Sequence, residues 1–155
     1  LRDFAFGFNT TYMYSQVQID TNNLSTINTN SSRPLEGASP FLINFSLKYD
    51  KKFENKNKLM LGMSYNVFGK RLVRVGSNGI GDSYALPVNS LNLISKFKFE
   101  NSLSLGFKLN NVLNPAINIV QEDMQNAGEN INVSNIKTGV DFSFSLAYTF
   151  NAKKK

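Results

Sequence analysis

The side chains that could carry out chemistry in this chain form a limited set, because the sequence contains no histidine and no cysteine. Histidine is the commonest general base and metal ligand, and without cysteine there are no thiolate nucleophiles or disulfides. Carboxylates, lysines, serines and tyrosines remain, but no carboxylate pair, Ser–Lys set or metal cluster has a spacing typical of a catalytic site. We therefore predict no catalytic residue, no metal, no cofactor and no enzyme activity.

One cluster of cations does suggest a binding function. Lys70, Arg71 and Arg74 follow closely on one another. Paired cations suit the anionic oxygens of phosphate groups, so this cluster is a candidate contact for lipopolysaccharide. The alternative is that the three side chains only lie in solvent at the base of a loop and bind nothing.

A cluster of carboxylates, Glu122, Asp123 and Glu129, is weaker as a site. Carboxylates that share a loop can bind Ca²⁺. Their spacing matches no known cation-binding loop, so an ordinary polar loop is favoured.

The charge of the chain is basic, with a net charge of +6 over 155 residues. Lysines concentrate in the connection around residues 51–58 and in the tail, residues 151–155, which we expect to be periplasmic. No basic stripe interleaved with aromatic side chains is present, so nucleic acid is not an expected partner. The length allows one domain at most, over residues 1–150.

The elements that would position these side chains are strands, because the dominant hydrophobic period is two. About six segments alternate apolar and polar residues, and no helical period competes with them. Their apolar sets are Phe4 to Tyr14, Phe41 to Tyr49, Leu59 to Val67, Leu91 to Phe99, Leu103 to Leu109 and Val140 to Phe150.

The polar faces of these strands carry small and mostly uncharged side chains. A soluble domain usually exposes lysine, glutamate and threonine, whereas a membrane barrel turns its apolar face to lipid and its polar face to a lumen. We therefore predict an antiparallel transmembrane β-barrel segment; the alternative is a soluble all-β domain. The residues predicted to face the lumen are Asn44, Ser64, Asn66, Asn110 and Asp141.

The connections alternate in length: residues 20–39, 69–89 and 114–135 are long, whereas residues 50–58 and the Glu100-Asn101 turn are short. Bacterial barrels place long loops outside and short turns in the periplasm. Residues 116–121 and 131–136 are expected to extend the last hairpin outwards. Six strands would leave two open edges, and the smallest filled barrels have about eight strands. We expect a fragment of a larger barrel, or one piece of a split or oligomeric barrel.

Five stretches follow one another along the chain: Arg33–Asn44, Tyr65–Arg71, Leu91–Leu93, Leu109–Asn114 and Tyr148–Phe150. In this order they resemble the closing strands of TonB-dependent outer-membrane receptors, especially those with an N-terminal carboxypeptidase-regulatory-like domain, and the resemblance covers roughly residues 1–150. It implies a barrel of about 22 strands with an N-terminal plug, of which this chain supplies about the last six. It also implies that the partners are the remaining strands, the plug and outer-membrane lipid. The plug and the TonB box are not in the chain.

The last strand resembles the signal that the barrel-assembly machinery reads. Phe142, Phe144, Tyr148 and Phe150 form its aromatic pattern, although Ser145 stands where glycine is usual and residues 151–155 follow. A plain closing strand is the simpler interpretation, and both can hold together.

The function that follows from the resemblance is ligand uptake in the bacterial outer membrane, with this chain as the C-terminal wall. The alternative is a small structural or interaction barrel, such as a subunit of an envelope complex with other envelope proteins as partners. The sequence does not identify a ligand.

Overall fold

The computed structural model describes residues 2–19, 29–100, 102–126 and 128–150, and within them the chain is all-β and without helix. No helix in this part of the chain is long and apolar enough to cross a membrane. Leu1, residues 20–28 of the first long loop, Asn101, Ala127 and the predicted basic tail lie outside the described residues. The strands are β1 Phe4–Tyr12, β2 Val17–Gln18, β3 Ser32–Arg33, β4 Phe41–Lys52, β5 Lys58–Phe68, β6 Arg71–Arg74, β7 Ser83–Ala85, β8 Val88–Lys98, β9 Leu103–Asn110, β10 Ala116–Glu122, β11 Asn130–Lys137 and β12 Asp141–Tyr148.

The six segments predicted from the alternating pattern are the six long strands. They form one antiparallel sheet in the order β1-β4-β5-β8-β9-β12. Each of the four inner strands therefore pairs with the long strand before it and the one after it in the chain. Among the described residues, β1 and β12 are the two edges of this sheet, and the sheet does not close on itself. Some predicted limits were too wide: β1 ends before Tyr14, and Phe99, Val140 and Phe150 lie just outside their strands.

The strand register places the apolar side chains on one face and the polar side chains on the other. Residues directly opposite on paired strands share a face, and successive residues alternate between faces. One row, at mid-sheet, crosses all six strands on the apolar face. It consists of Phe6, Leu47, Met63, Leu93, Leu109 and Phe142.

No described part of the chain packs over the apolar face of this sheet. The accessible surface of the chain is 11285 Å², against about 7,900 Å² for a compact protein of this mass. On the edge strands, Phe8 is 70% exposed and Phe142 is 76% exposed. The buried apolar side chains of the described residues all lie beyond the long sheet: Leu72, Tyr84, Ala85 and Val120.

The short connections, residues 53–57 and 99–102, lie at one end of the sheet, which we call the short-turn end. In the first, Lys56 adopts a positive φ of 59° and its backbone N–H donates to the Phe53 carbonyl over 3.0 Å. Aromatic rings gather at this end in close pairs, each with centroids 4.7 Å apart. The pairs are Phe4–Tyr49, Phe97–Phe99 and Tyr148–Phe150.

At the opposite end a second, four-stranded sheet has the order β11-β10-β7-β6. Along the chain β6 follows β5, β7 precedes β8, β10 follows β9 and β11 precedes β12, so this sheet continues four strands of the long one. The prediction that residues 116–121 and 131–136 extend the last hairpin is confirmed, since β10 pairs with β11. We call this sheet, with residues 29–40 and the connections 69–87 and 111–140, the cap.

Candidate functional site

The junction between the long sheet and the cap gathers four of the five sequence stretches that carry the family resemblance. The fifth, Tyr148–Phe150, lies at the short-turn end, where Thr149 donates its backbone N–H to the Ser102 carbonyl over 3.1 Å. At the junction, the Val112 N–H donates to the Leu91 carbonyl over 2.8 Å. Sequence stretches far apart in the chain are therefore hydrogen-bonded to each other.

Ser39 and Gly69 form the first half of this junction. The Gly69 N–H donates to the Ser39 hydroxyl oxygen over 2.8 Å, and the Ser39 hydroxyl donates to the Phe41 carbonyl over 2.8 Å. A Cβ atom at Gly69 would lie 2.8 Å from the Phe41 ring, which is closer than real contacts allow. Glycine is required here because the Phe41 ring occupies the space of a side chain.

Asn111 and Asn114 form the second half. Both have positive φ angles, 56° and 43°, which asparagine tolerates better than most residues. The Asn111 side-chain amide donates to the Gly139 carbonyl over 2.7 Å, and the Asn114 side-chain oxygen accepts from the Gly139 N–H over 3.0 Å. The two asparagines hold the bend where the β9 and β12 hairpin passes into the cap.

Asp82 is the most buried charged residue of the described chain, with no exposed surface. One of its oxygens accepts the Gly76 backbone N–H over 2.6 Å, and the other accepts the Asn30 side-chain amide over 2.9 Å. The Arg33 guanidinium lies 3.7 Å from the same carboxylate. A buried carboxylate needs such donors and an opposite charge to remain ionised.

Asn30 links Asp82 to Glu122 in the last long connection. Its side-chain amide also donates to a Glu122 carboxylate oxygen over 3.1 Å, and the Glu122 backbone N–H donates to the Asp82 carbonyl over 3.0 Å. Residues from all three long connections thus share one hydrogen-bonded cluster, which we call the cap clasp: Asn30, Arg33, Gly76, Asp82 and Glu122. The clasp orders connections that a polar composition alone would leave mobile.

Tyr84 packs beside the clasp against Leu72 and Val120. The pKa of Tyr84 is raised to about 12, first by burial, then by the negative charges of Glu122 and Asp82 and by a hydrogen bond with Glu122, while Arg33 acts in the opposite direction. Tyr84 therefore keeps its proton and donates a hydrogen bond at every physiological pH. The Lys70 ammonium lies 4.1 Å from the centre of the Tyr84 ring, a cation–π contact.

A cleft of about 460 Å³ opens next to this contact. Its walls combine aromatic rings with the cations Arg33 and Lys70. In the wall, the Tyr14 hydroxyl donates to the Gln16 side-chain oxygen over 2.6 Å. Such a surface offers ring faces for stacking and positive charge for an anionic group. The main contributors are Tyr12, Tyr14, Arg33, Lys70 and Tyr84.

No protein-family model, curated protein or solved structure matches the chain.

The residues predicted to face a lumen do share one face of the long sheet. Asn44 is opposite Asn66, and Asp141 is opposite Asn110. Asn66 donates its side-chain amide to the Ser64 hydroxyl over 3.3 Å and to the Ser90 hydroxyl over 3.4 Å. The polar face therefore carries a partial hydrogen-bonded lining of small side chains.

The three predicted lipopolysaccharide contacts are divided between two faces of the cap. Arg71 lies opposite Ala85 and Arg74 opposite Ser83, which share one face of β7, whereas Lys70 lies over the Tyr84 ring. A bulge between Leu72 and Arg74 brings the two arginines to the same face. The sequence spacing gave no sign of this bulge.

The three carboxylates of the last long connection line one pocket, but their side chains make separate contacts. Glu122 belongs to the cap clasp, whereas Asp123 accepts the Gln125 N–H over 2.8 Å and the Asn126 side-chain amide over 3.0 Å. Both hydrogen bonds lower the pKa of Asp123, and the one from the Asn126 side chain has the larger effect. Within the described residues no group of three His, Cys, Asp or Glu side chains lies close enough to hold a metal.

The residues of the predicted assembly signal lie on the exposed apolar face or next to it. Phe142 and Phe144 pair with Leu109 and Phe107, and the Phe150 ring packs edge-on against Tyr148 beyond the end of β12. Sequence reasoning missed Asn30 and Asp82, for which only the Gly81-Asp82 dipeptide in a long loop offers a weak signal.

Proposed function

We propose that this chain is the C-terminal wall of a TonB-dependent outer-membrane receptor that takes up a ligand across the outer membrane. The observation that carries the proposal is the long sheet, which has one predominantly apolar, uncovered face and one face of mostly small, polar side chains. Its alternately long and short connections support the same placement, with the cap outside and the short-turn end in the periplasm.

The two open edges of the sheet favour a part of a larger wall over a small self-contained barrel. A bare backbone N–H or C=O in hydrocarbon costs several kcal/mol, and β1 and β12 each present such a row among the described residues. Further strands from the same receptor would pair with these edges, as a barrel of about 22 strands requires.

Refolding in detergent tests this proposal. Residues 1–155 alone should aggregate or self-associate, whereas the chain joined to upstream strands of its receptor should give a heat-modifiable band and a β-type circular dichroism spectrum. A closed, heat-modifiable monomer from residues 1–155 alone would favour the small barrel instead. A monomer that is soluble without detergent would contradict both membrane functions.

Within this function, the arginines of β6 are proposed to contact lipopolysaccharide. Arg74 is exposed and Arg71 half-buried on the same face of the cap, and guanidinium groups bind phosphate oxygens in a bidentate manner. Substituting Lys70, Arg71 and Arg74 by alanine should weaken binding to phosphate-bearing lipopolysaccharide and leave binding to the dephosphorylated form unchanged.

The matched control removes three lysines from the short-turn end, Lys52, Lys58 and Lys98, and should bind as the unaltered chain does. Binding can be followed by co-migration in native gels. Equal affinity of the cap variant and the unaltered chain for the phosphate-bearing form would rule out the contact.

A further inference from the structure

The polar face of the long sheet is not uniformly neutral, because lysines concentrate towards its short-turn end. The register places all of them on the face opposite to the apolar row, and each is exposed. Asp50 is the acidic residue that shares this region, and it pairs with Lys48 over 2.7 Å. The lysines are Lys48, Lys52, Lys58, Lys96, Lys98 and Lys108.

Three of these lysines stand side by side across three strands. Lys52 is directly opposite Lys58, and Lys58 is directly opposite Lys98. Like charges at directly opposed positions destabilise a sheet. No carboxylate among the described residues forms an ion pair with any of the three: Asp50, Asp3 and Glu100 pair with Lys48, Lys51 and Lys56 instead.

We infer that an acidic protein surface packs on the polar face of the sheet at this lysine row. The inference rests on the proposed function, in which the polar face lines the inside of a barrel that holds another folded part. Negative charges on an acidic partner would attract Lys52, Lys58 and Lys98 and so offset the repulsion among them.

The surroundings of the row favour a folded protein over a lipid headgroup. The lysines project from the face opposite to the apolar one, so a bilayer that covers the apolar face cannot reach them. Beside the row the face is flat, with Ser104, Gly106, Ser145 and Ala147 on the neighbouring strands. Adjacent strands are about 4.8 Å apart, so the row extends over about 10 Å and fits carboxylates on neighbouring strands or on one helix face.

Binding of a poly-glutamate peptide to the chain joined to the upstream strands of its receptor, refolded in detergent micelles, tests the inference. Substituting Lys52, Lys58 and Lys98 by serine should weaken binding about tenfold, since three exposed charge pairs each contribute modestly. Substituting the same three residues by arginine should preserve binding. The control of equal charge change, Lys70, Arg71 and Arg74 to serine in the cap, should bind the peptide as the unaltered chain does.

Anionic phospholipid added to the micelles separates the two sources of negative charge. If free poly-glutamate displaces the bound peptide and the phospholipid does not, the result supports a protein partner. Equal binding of the peptide by both serine variants, or displacement by phospholipid alone, would overturn the inference. Failure of the proposed function would show differently, as a monomer that needs no detergent, and the binding assay does not depend on that result.

Discussion

Replacing Leu93 by arginine should destabilise the assembled sheet in lipid by about 2–4 kcal/mol, the cost of a cation near the bilayer midplane on the lipid face of a barrel. Leu93 lies at the middle of β8, in the apolar row that crosses all six long strands. The measurement is the denaturant midpoint of the chain, joined to its upstream strands, in phospholipid vesicles. This variant tests whether the apolar face of the long sheet contacts lipid, as the proposed function requires.

Ile94 provides a closely matched control, because it is an isomer of Leu93, adjacent in the same strand and on the opposite face. It pairs with Gly62 and Lys108 on the polar side of the sheet. Ile94→Arg should therefore cost about 1 kcal/mol or less, since it enters a polar surface and the repulsion from Lys108, directly opposite, is that of an exposed pair. Equal destabilisation by both substitutions, or a smaller effect of Leu93→Arg, would refute a lipid-facing apolar side.

Replacing Asp82 by alanine should open the cap and cost about 3–5 kcal/mol, the range for removing one partner of a buried ion pair. The substitution removes the acceptor of the buried Gly76 N–H and one of the two acceptors of the Asn30 amide. The long sheet does not depend on this cluster, so the loss should be local. Limited proteolysis of connections 69–87 and 111–140 should become much faster, while the circular dichroism of the long strands persists.

Two further variants show whether charge or only shape matters at this position. Asp82→Asn keeps the size of the side chain but removes the charge that faces Arg33, so it should fall between the alanine variant and the unaltered chain. Asp123→Ala is the control: Asp123 lies in the same cap, but its hydrogen bonds are made within its own turn. Proteolysis of Asp123→Ala as fast as that of Asp82→Ala would mean that the clasp does not hold the connections.

The long sheet could be predicted from the sequence because its signal is local. Alternation of apolar and polar residues identifies each strand, and short connections such as residues 53–57 fix which neighbours pair. The shared face of Asn44, Ser64 and Asn66 followed from the same alternation. Strand ends were less certain, since residues such as Tyr14 and Phe150 continue the apolar pattern beyond the hydrogen-bonded ladder.

The cap could not be predicted to the same depth because its contacts join residues far apart in the chain. The strands β6 and β7 are short and carry no clear alternation, and they form because β7 pairs with β10 on one side and with β6 on the other. Asn30, Asp82 and Glu122 belong to three different loops, and nothing in their local sequence indicates that they meet. The bulge in β6 likewise depends on the partner strand rather than on β6 itself.

Because the connections differ in length, the strand pairs of the long sheet are expected to form at different rates. Closing a loop costs conformational entropy that grows with its length, by about 0.6 kcal/mol for each doubling. The pairs β4–β5 and β8–β9 close through residues 53–57 and 99–102, whereas β1–β4, β5–β8 and β9–β12 must close through much longer segments. We therefore expect the β4–β5 and β8–β9 hairpins to form first. The remaining strand pairings are then the slower steps of assembly.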